Sequence, residues 1–146
     1  MKLNSKASYA VKAIVDLLAH GDGQPVALAE LAARQDLSLS YLEQLFARLR
    51  RAGLVRAVRG PGGGYLLARP ASEITVAEVV AAIAEEPTAD TRCVPSQPMH
   101  CKRRDDFCLT HELWENLSGE IERFLGSVSI EDVIARSLPP MNGPGR

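Results

Sequence analysis

Apolar and polar positions alternate with a helical period just after residue 38. Four apolar side chains recur at i, i+3, i+4 and i+7, which is the spacing of one buried helical face: Leu42, Leu45, Phe46 and Leu49. Ser40 and Glu43 are three residues apart and match a capping box, so the sequence predicts that this helix begins at Ser40. Gly53 stands where a left-handed residue often ends a helix.

The opposite face of this helix is polar and largely basic. It carries Ser40, Glu43, Gln44, Ala47 and Arg51, with Arg48 and Arg50 on its flanks. From Gln44 to Arg69 the sequence has six arginines and no acid, although the formal net charge of the chain is −1. Such a local excess of positive charge indicates a surface that binds a polyanion.

Two short apolar stretches, LVRAVR and YLLAR, flank the run GPGGG and predict a two-stranded hairpin with a glycine-rich tip. A phosphate-cradling loop of a nucleotide enzyme is the alternative. No Lys-Ser/Thr follows the glycines, Tyr65 breaks the G-x-G-x-x-G spacing, and a strand rather than a helix follows. The hairpin is therefore the better interpretation, and Arg56 and Arg59 add positive charge to it.

Further helices are predicted on both sides of this region. The first opens at Asn4 or Ser5 and closes at Gly21 and Gly23, and a short second helix contains Leu28, Leu31 and Ala32. Three helices followed by a hairpin make a winged helix-turn-helix. Thr75 and Glu78 form a capping box for a fourth helix, expected from about Val76 to Glu86.

The second half of the chain combines a long loop with a long helix. Residues 87–107 show no helical or strand period and are expected to form a loop. Helical period returns at Leu109, with an apolar seam that contains Leu113, Trp114, Leu117, Ile121 and Leu125. The seam either packs on its own domain or pairs with its copy. We favour a homodimer, because small DNA-reading proteins usually recruit a second half-site of a pseudo-palindromic operator by two-fold symmetry.

The predicted fold class is mainly α with a small β-hairpin wing, a winged helix-turn-helix plus a long dimerisation helix. We expect a DNA-binding domain over residues 1–73. Residues 74–136 are expected to hold the linker helix, a metal-binding loop and the dimerisation helix, in which Ser129 and Asp132 start a last short helix. Residues 137–146 are expected to be a flexible tail.

Composition agrees with a small globular protein. The chain has 146 residues, 46% of them hydrophobic, which is enough for one compact core. No stretch approaches the roughly 20 apolar residues of a membrane helix, so we expect a soluble cytoplasmic protein with no membrane partner. Three cysteines within sixteen residues suit a metal or redox site in a reducing compartment better than a disulfide framework.

These cysteines and one histidine form the pattern C-x7-C-x6-C-x2-H: Cys93, Cys101, Cys108 and His111. Cys108 and His111 are spaced i, i+3 at the start of the long helix, so both can project from one face. Thiolates with one imidazole suit zinc or an iron–sulfur cluster, and the spacing leaves both open, although the C-x2-4-C knuckles common in zinc sites are absent. His20 and His100 have no comparable context and are expected at the surface.

A thiol enzyme with Cys108 as nucleophile and His111 as base is the third alternative. The sequence identifies no third group that would orient the base and no oxyanion donor pair. This alternative also leaves Cys93 and Cys101 without a role. We therefore expect no catalytic residues.

Three segments together resemble the IscR-like iron–sulfur cluster assembly regulators, a family of winged-helix transcription factors of bacteria: KLNSKASYAVKAIVDL, LSLSYLEQLFARLRRAGLVRAVRGPGGGYLL and CLTHELW. The resemblance covers about residues 2–136. It implies a dimeric regulator, a repressor at least at some promoters, that binds a [2Fe–2S] cluster through three cysteines and one histidine. By motif position these ligands fall on Cys93, Cys101, Cys108 and His111, although the cysteines are spaced more widely than in the family pattern.

The resemblance also implies DNA contacts. They fall on Ser38, Ser40, Tyr41, Glu43 and Gln44 of the reading helix, and on Arg59 and the wing-tip glycines Gly60, Gly62, Gly63 and Gly64. Iron–sulfur assembly machinery is the implied source of the cluster. Related winged-helix regulators respond to nitric oxide, iron or cysteine metabolism, so a zinc-stabilised, nitric-oxide-responsive or iron-responsive regulator is the alternative.

Overall fold

The computed structural model describes residues 3–84 and 111–140, and only the backbone of residue 111. These residues form the helices α1 Ser5–Gly21, α2 Leu28–Gln35, α3 Leu39–Arg51, α4 Val76–Ile83, α5 His111–Gly126 and α6 Ile130–Ala135, and the strands β1 Val55–Val58 and β2 Gly64–Leu67. A short 3-10 turn, Ala71–Glu73, lies between β2 and α4. The predicted fold class, mainly α with a two-stranded wing, is confirmed.

The reading helix α3 begins earlier than the sequence predicted. Ser38 is its N-cap, and the Ser38 hydroxyl accepts a hydrogen bond of 3.2 Å from the Tyr41 N–H. An N-cap residue needs an extended backbone; Ser38 has φ −69° and ψ 143°, whereas Ser40 already lies inside the helix. The predicted capping box of Ser40 with Glu43 is therefore wrong.

The other end of α3 was predicted correctly. Gly53 has φ +75°, its N–H donates to the Arg50 carbonyl at 3.0 Å, and the Leu54 N–H donates to the Leu49 carbonyl at 3.0 Å. These are the two bonds of a Schellman motif, which turns the chain sharply after a helix. The motif sends the chain from α3 directly into β1 and so fixes where the wing starts.

The four apolar residues predicted to form the buried stripe of α3 are all buried, as expected. They pack with α1, with α4 and with the segment before α6 in one core. Buried residues from 74–136, such as Val79, Ile83 and Ile130, thus share a core with residues from 1–73. The domain boundary at residue 73 stays a prediction.

The wing is an antiparallel hairpin in which Val55 pairs with Leu67 and Val58 with Gly64. A third segment joins its edge, because the N–H and carbonyl groups of Val26 exchange hydrogen bonds of 3.0 and 2.9 Å with those of Tyr65. This bridge attaches the wing to the connection between α1 and α2. The orientation of the wing relative to the helix-turn-helix is therefore held by main-chain bonds.

Both later capping boxes are confirmed, that of Thr75 with Glu78 at α4 and that of Ser129 with Asp132 at α6. Helix α4 is shorter than predicted: it ends at Ile83, and Ala84 leaves the helix with φ −55° and ψ 130°. The Ile83 carbonyl accepts a bond from the Arg48 guanidinium, which the local sequence could not predict. The predicted loop 87–107, the start of the long helix at Leu109 and the end of the tail, 141–146, lie outside the described residues.

Candidate nucleic-acid interface and metal ligands

The outward face of α3 has the residues that the sequence placed there. Ser40, Glu43, Gln44, Ala47 and Arg51 are all exposed. Leu39 is also 44% exposed, in the first turn of the same helix. Leu39 precedes Ser40, where the sequence predicted the helix to begin, so sequence reasoning missed an exposed apolar side chain in the first turn of α3. Such a side chain can contact the methyl group of thymine.

Tyr41 joins the reading helix to α1. Its ring is half-buried and meets the Tyr9 ring edge to face, with centroids 6.1 Å apart and an interplanar angle of 89°. Its N–H is the group that Ser38 caps. Ser38 and Tyr41, both predicted as DNA contacts, thus lie together at the N-terminal end of α3, where helix-turn-helix proteins approach base edges.

The arginines of this region divide into two groups. Arg50, Arg51, Arg56 and Arg59 are exposed. Arg48 is half-buried, and its Nη1 donates to the Ile83 carbonyl at 3.0 Å. Arg69 donates a hydrogen bond of 2.7 Å to Glu78. The pKa of Glu78 is lowered, mainly by the hydrogen bond from the Thr75 backbone N–H and next by the bond from Arg69. The exposed positive charge of α3 and the wing therefore comes mainly from four arginines.

The wing-tip glycines are required by backbone geometry. Gly60 and Gly62 have φ of +103° and +72°, in the left-handed region that favours glycine. A Cβ at Gly63 would lie 2.4 Å from the Val58 carbonyl oxygen, and one at Gly64 would lie 2.2 Å from the Val26 carbonyl oxygen. Gly64 thus permits the close approach that attaches the wing, and Arg59 stands exposed beside the tip.

A buried carboxylate holds α1 against α2, the first helix of the helix-turn-helix. Asp16 is 6% exposed, and its oxygens accept bonds from Arg34 Nε at 2.8 Å, Arg34 Nη2 at 2.6 Å and Gln35 Nε2 at 2.7 Å. Burial raises the pKa of Asp16, but the bonds from Arg34 and Gln35 outweigh it, and the net pKa is lowered. His20 is exposed, as predicted, yet its Nδ1 lies 3.2 Å from Asp16 Oδ1.

The predicted metal ligands Cys93, Cys101 and Cys108 lie outside the described residues, as does His100. His111 is the first described residue of α5. Within residues 3–84 and 111–140, no group of three or more His, Cys, Asp or Glu side chains is arranged to hold a metal ion. The ligand set thus stays a prediction of the sequence.

The first half of the seam on α5 is exposed. Leu113, Trp114 and Leu117 are 59%, 52% and 46% exposed, whereas Ile121 and Leu125 are half-buried. Leu125 packs against the core and also lines a groove with Val11, Val76 and Val80. The seam is therefore anchored to the core at its C-terminal end, and the apolar side chains at its N-terminal end are exposed among the described residues.

In the described part of the chain, no helix combines the length and the apolar character that crossing a membrane requires.

Residues 3–136 match the family Rrf2, described as iron-dependent transcriptional regulators. The chain is 53% identical over 134 residues to the HTH-type transcriptional regulator IscR of Xenorhabdus nematophila, which covers 92% of this chain and 79% of that protein.

Solved structures give the same result. T. potens IscR is 36% identical with a TM-score of 0.74, over 94% of this chain and 88% of that one. CymR, the global cysteine regulator of B. subtilis, is 28% identical with a TM-score of 0.73, over 94% of this chain and 98% of that one. These relatives are transcriptional regulators and not enzymes, which removes the thiol-enzyme alternative. The chain belongs to the Rrf2 family and is a DNA-binding transcriptional regulator of the IscR type.

Proposed function

We propose that this regulator binds pseudo-palindromic operators as a homodimer and that a [2Fe–2S] cluster bound by Cys93, Cys101, Cys108 and His111 controls its choice of operator, with repression at some promoters. The observation that carries the DNA part is the exposed polar face of α3 between exposed arginines of the same helix and the wing. The cluster part is supported by the four ligands in the sequence and by the likeness to proteins named IscR.

On this proposal, phosphate contacts and base contacts come from different residues. Arg50, Arg51 and Arg56 bind phosphates, which position the protein without reading sequence. Arg48 still has free N–H groups beside its bond to Ile83, and its phosphate contact stays a prediction. Arg59, next to the glycine-rich tip, suits a narrow minor groove, where negative potential is concentrated.

Base reading is assigned to the exposed polar side chains of α3. The amide of Gln44 can pair bidentately with adenine in the major groove. Glu43 can accept a bond from the amino group of cytosine, and Ser40 can pair with several bases. Ser38 and Tyr41 define the end of the helix that enters the groove.

Two variants separate these roles. Arg56→Ala should weaken binding to operator and random DNA alike and reduce the slope of log K against log salt by about 0.9 per protomer, which is about 1.8 for a bound dimer. Gln44→Ala should lose about 1–3 kcal/mol at one base position and leave random-sequence binding almost unchanged. Anisotropy titrations with an operator, its single-base variants and a random duplex measure both. An equal loss on all duplexes for Gln44→Ala would contradict its role in base reading.

The cluster is tested by its composition. Three thiolates and one imidazole fit an iron–sulfur cluster or zinc by donor type, and a bound cluster would supply a redox-sensitive and oxygen-sensitive charge near the start of α5. Protein prepared without oxygen should show absorption bands between about 300 and 600 nm and about two irons and two sulfides per chain. A colourless protein with one zinc per chain would contradict the cluster and favour a zinc-stabilised regulator.

The dimer is assigned to the seam of α5. The exposed part of Leu113, Trp114 and Leu117 is apolar surface without cover among the described residues of one chain. A charged residue there should oppose pairing, so Leu117→Arg should sediment as a monomer at concentrations where the wild type is a dimer. A wild type that sediments as a monomer would contradict the homodimer. We place the protein in the cytoplasm, where thiols stay reduced and assembly machinery can deliver the cluster.

A further inference from the structure

The N-terminal helix has a charge pattern that the winged helix-turn-helix does not account for. From Lys2 to Val15 the sequence has three lysines and no acid. The first acid, Asp16, is buried against Arg34 and Gln35 and is not available to a surface lysine. Lys12 is exposed on α1, and Asp16 is the one acid of that helix.

Lys12 is linked to the reading end of α3 by two aromatic rings. Its Nζ lies 5.9 Å from the centroid of the Tyr9 ring, within the range of a cation–π contact. The Tyr9 ring in turn packs edge to face on Tyr41, in the first turn of α3. The ammonium group therefore lies no more than about 12 Å from the centroid of the Tyr41 ring, which is within the ~12 Å width of the major groove.

A charge at that distance can reach a phosphate of the groove wall when the first turn of α3 lies in the groove. We propose that Lys12 binds a backbone phosphate beside the bases read by α3, and that Tyr9 positions it by holding its stem against Tyr41. The proposal rests on the DNA interface proposed above, which it extends from α3 and the wing to α1. Lys12 is exposed, and no carboxylate is among the contacts that the structure records for it in the described part of the chain.

The variant Lys12→Gln removes the charge and keeps most of the stem. If the proposal holds, the slope of log K against log salt falls by about 0.9 per protomer, about 1.8 for a bound dimer, for operator and random DNA alike. Between 50 and 200 mM salt, the wild-type dimer should then lose about 12-fold more affinity than the variant. Lys12→Arg should keep the slope, because it keeps the charge.

Arg123→Ala is the matched control, since it also removes one exposed positive charge but lies on α5. Its salt slope should equal that of the wild type. An unchanged slope for Lys12→Gln, together with a lowered slope for Arg56→Ala, would overturn the α1 contact and leave the proposed DNA interface intact. If neither slope falls, the proposed interface itself is wrong. If Lys12→Gln left the salt slope unchanged but altered the oligomeric state, Lys12 would lie in the subunit interface, and the proposal would again be overturned.

The positioning role of Tyr9 has its own readout. In Tyr9→Leu the ring is lost, so Lys12→Gln should change the affinity much less in that background than in the wild type. In Tyr9→Phe, which keeps the ring, the full effect of Lys12→Gln should remain. Equal effects of Lys12→Gln in all three backgrounds would show that Tyr9 does not position Lys12.

Discussion

Replacing Asp16 by alanine tests the contact that holds α1 against α2. The side chain is buried and accepts three hydrogen bonds from α2, two of them from the guanidinium of Arg34. In Asp16→Ala these donors lose their acceptor, and a small cavity remains. Arg34 keeps part of its surface in water and can turn toward solvent, which limits the loss.

The size of the effect follows from these contacts. Breaking a fully buried ion pair costs about 3–5 kcal/mol, and a single hydrogen bond to a charged group contributes about 1.5–3 kcal/mol. Because Arg34 is partly exposed, we expect Asp16→Ala to lower the free energy of unfolding by about 2–3 kcal/mol. For a chain of this size, that corresponds to a fall in Tm of roughly 4–12 °C.

Asp16→Asn separates the charge from the shape. The amide keeps one acceptor oxygen and removes the negative charge, so its loss should be smaller than that of alanine. The pKa of Asp16 is lowered in the folded protein. Its ionic stabilisation is therefore fully present above the unfolded pKa of about 3.9 and is lost as the pH falls through the lower folded value. The difference between wild type and Asp16→Asn should shrink on acidification below about pH 4.

Urea unfolding followed by circular dichroism at pH 7, 5, 4 and 3 measures these differences. Glu30→Ala is the control: Glu30 faces the same Arg34 at 3.8 Å but is exposed, so its removal should change the free energy of unfolding by less than about 1 kcal/mol. If Asp16→Ala were no more destabilising than Glu30→Ala, or if the difference between wild type and Asp16→Asn did not depend on pH, the buried pair would not hold the two helices.

Four further predictions concern the reading helix, the wing and the ligands. Ser38→Ala removes the N-cap of α3 and should lower the free energy of unfolding by about 1 kcal/mol in thermal or urea melts. Gly64→Ala should lower both Tm and operator affinity, because its Cβ meets a carbonyl oxygen at 2.2 Å, whereas Gly119→Ala, in open space on α5, should keep or raise Tm. Glu43→Ala should leave Tm unchanged and let the cluster-free protein bind operators that otherwise require the cluster; a uniform affinity change over an operator panel would exclude that selectivity. His111→Cys should retain the cluster longer in air, by visible absorption, because a thiolate replaces the neutral imidazole.

Local patterns predicted the starts of α1, α4 and α6, whereas the start of α3 was predicted wrongly for an instructive reason. At Thr75 and Ser129 the acid three residues later does complete a capping box, so the rule gave the correct cap. At α3, Ser38 and Ser40 both precede the apolar stripe, and the acid three residues after Ser40 favoured the wrong one. Which serine is the N-cap depends on where the backbone changes from the extended to the helical conformation. The α2–α3 connection sets that point. Glu43 is thereby released from a capping role and stays exposed on the reading face.

Contacts between distant residues were beyond prediction. Asp16 and Arg34 are eighteen positions apart, and neither belongs to a local motif. The sequence placed Gly64 in the glycine-rich tip, yet the Val26 carbonyl, from another part of the chain, is what excludes a side chain there. Such contacts depend on how elements pack, and a single sequence does not show packing. The metal ligands are the opposite case, since their pattern is visible in the sequence and lies largely outside the described residues.

Contacts between distant residues also change the expected salt dependence of phosphate binding. Six arginines between Gln44 and Arg69, at one phosphate each, would give a salt slope of about −5.4 per protomer. Two of them, Arg48 and Arg69, donate to acceptors on α4. The four exposed arginines alone would give about −3.6, and Lys12 would add about −0.9. A charge contributes to phosphate binding only where the fold leaves it exposed on the DNA side. Counting arginines along the sequence therefore overestimates the positive charge that α3 and the wing offer to phosphates, and it omits the charge on α1.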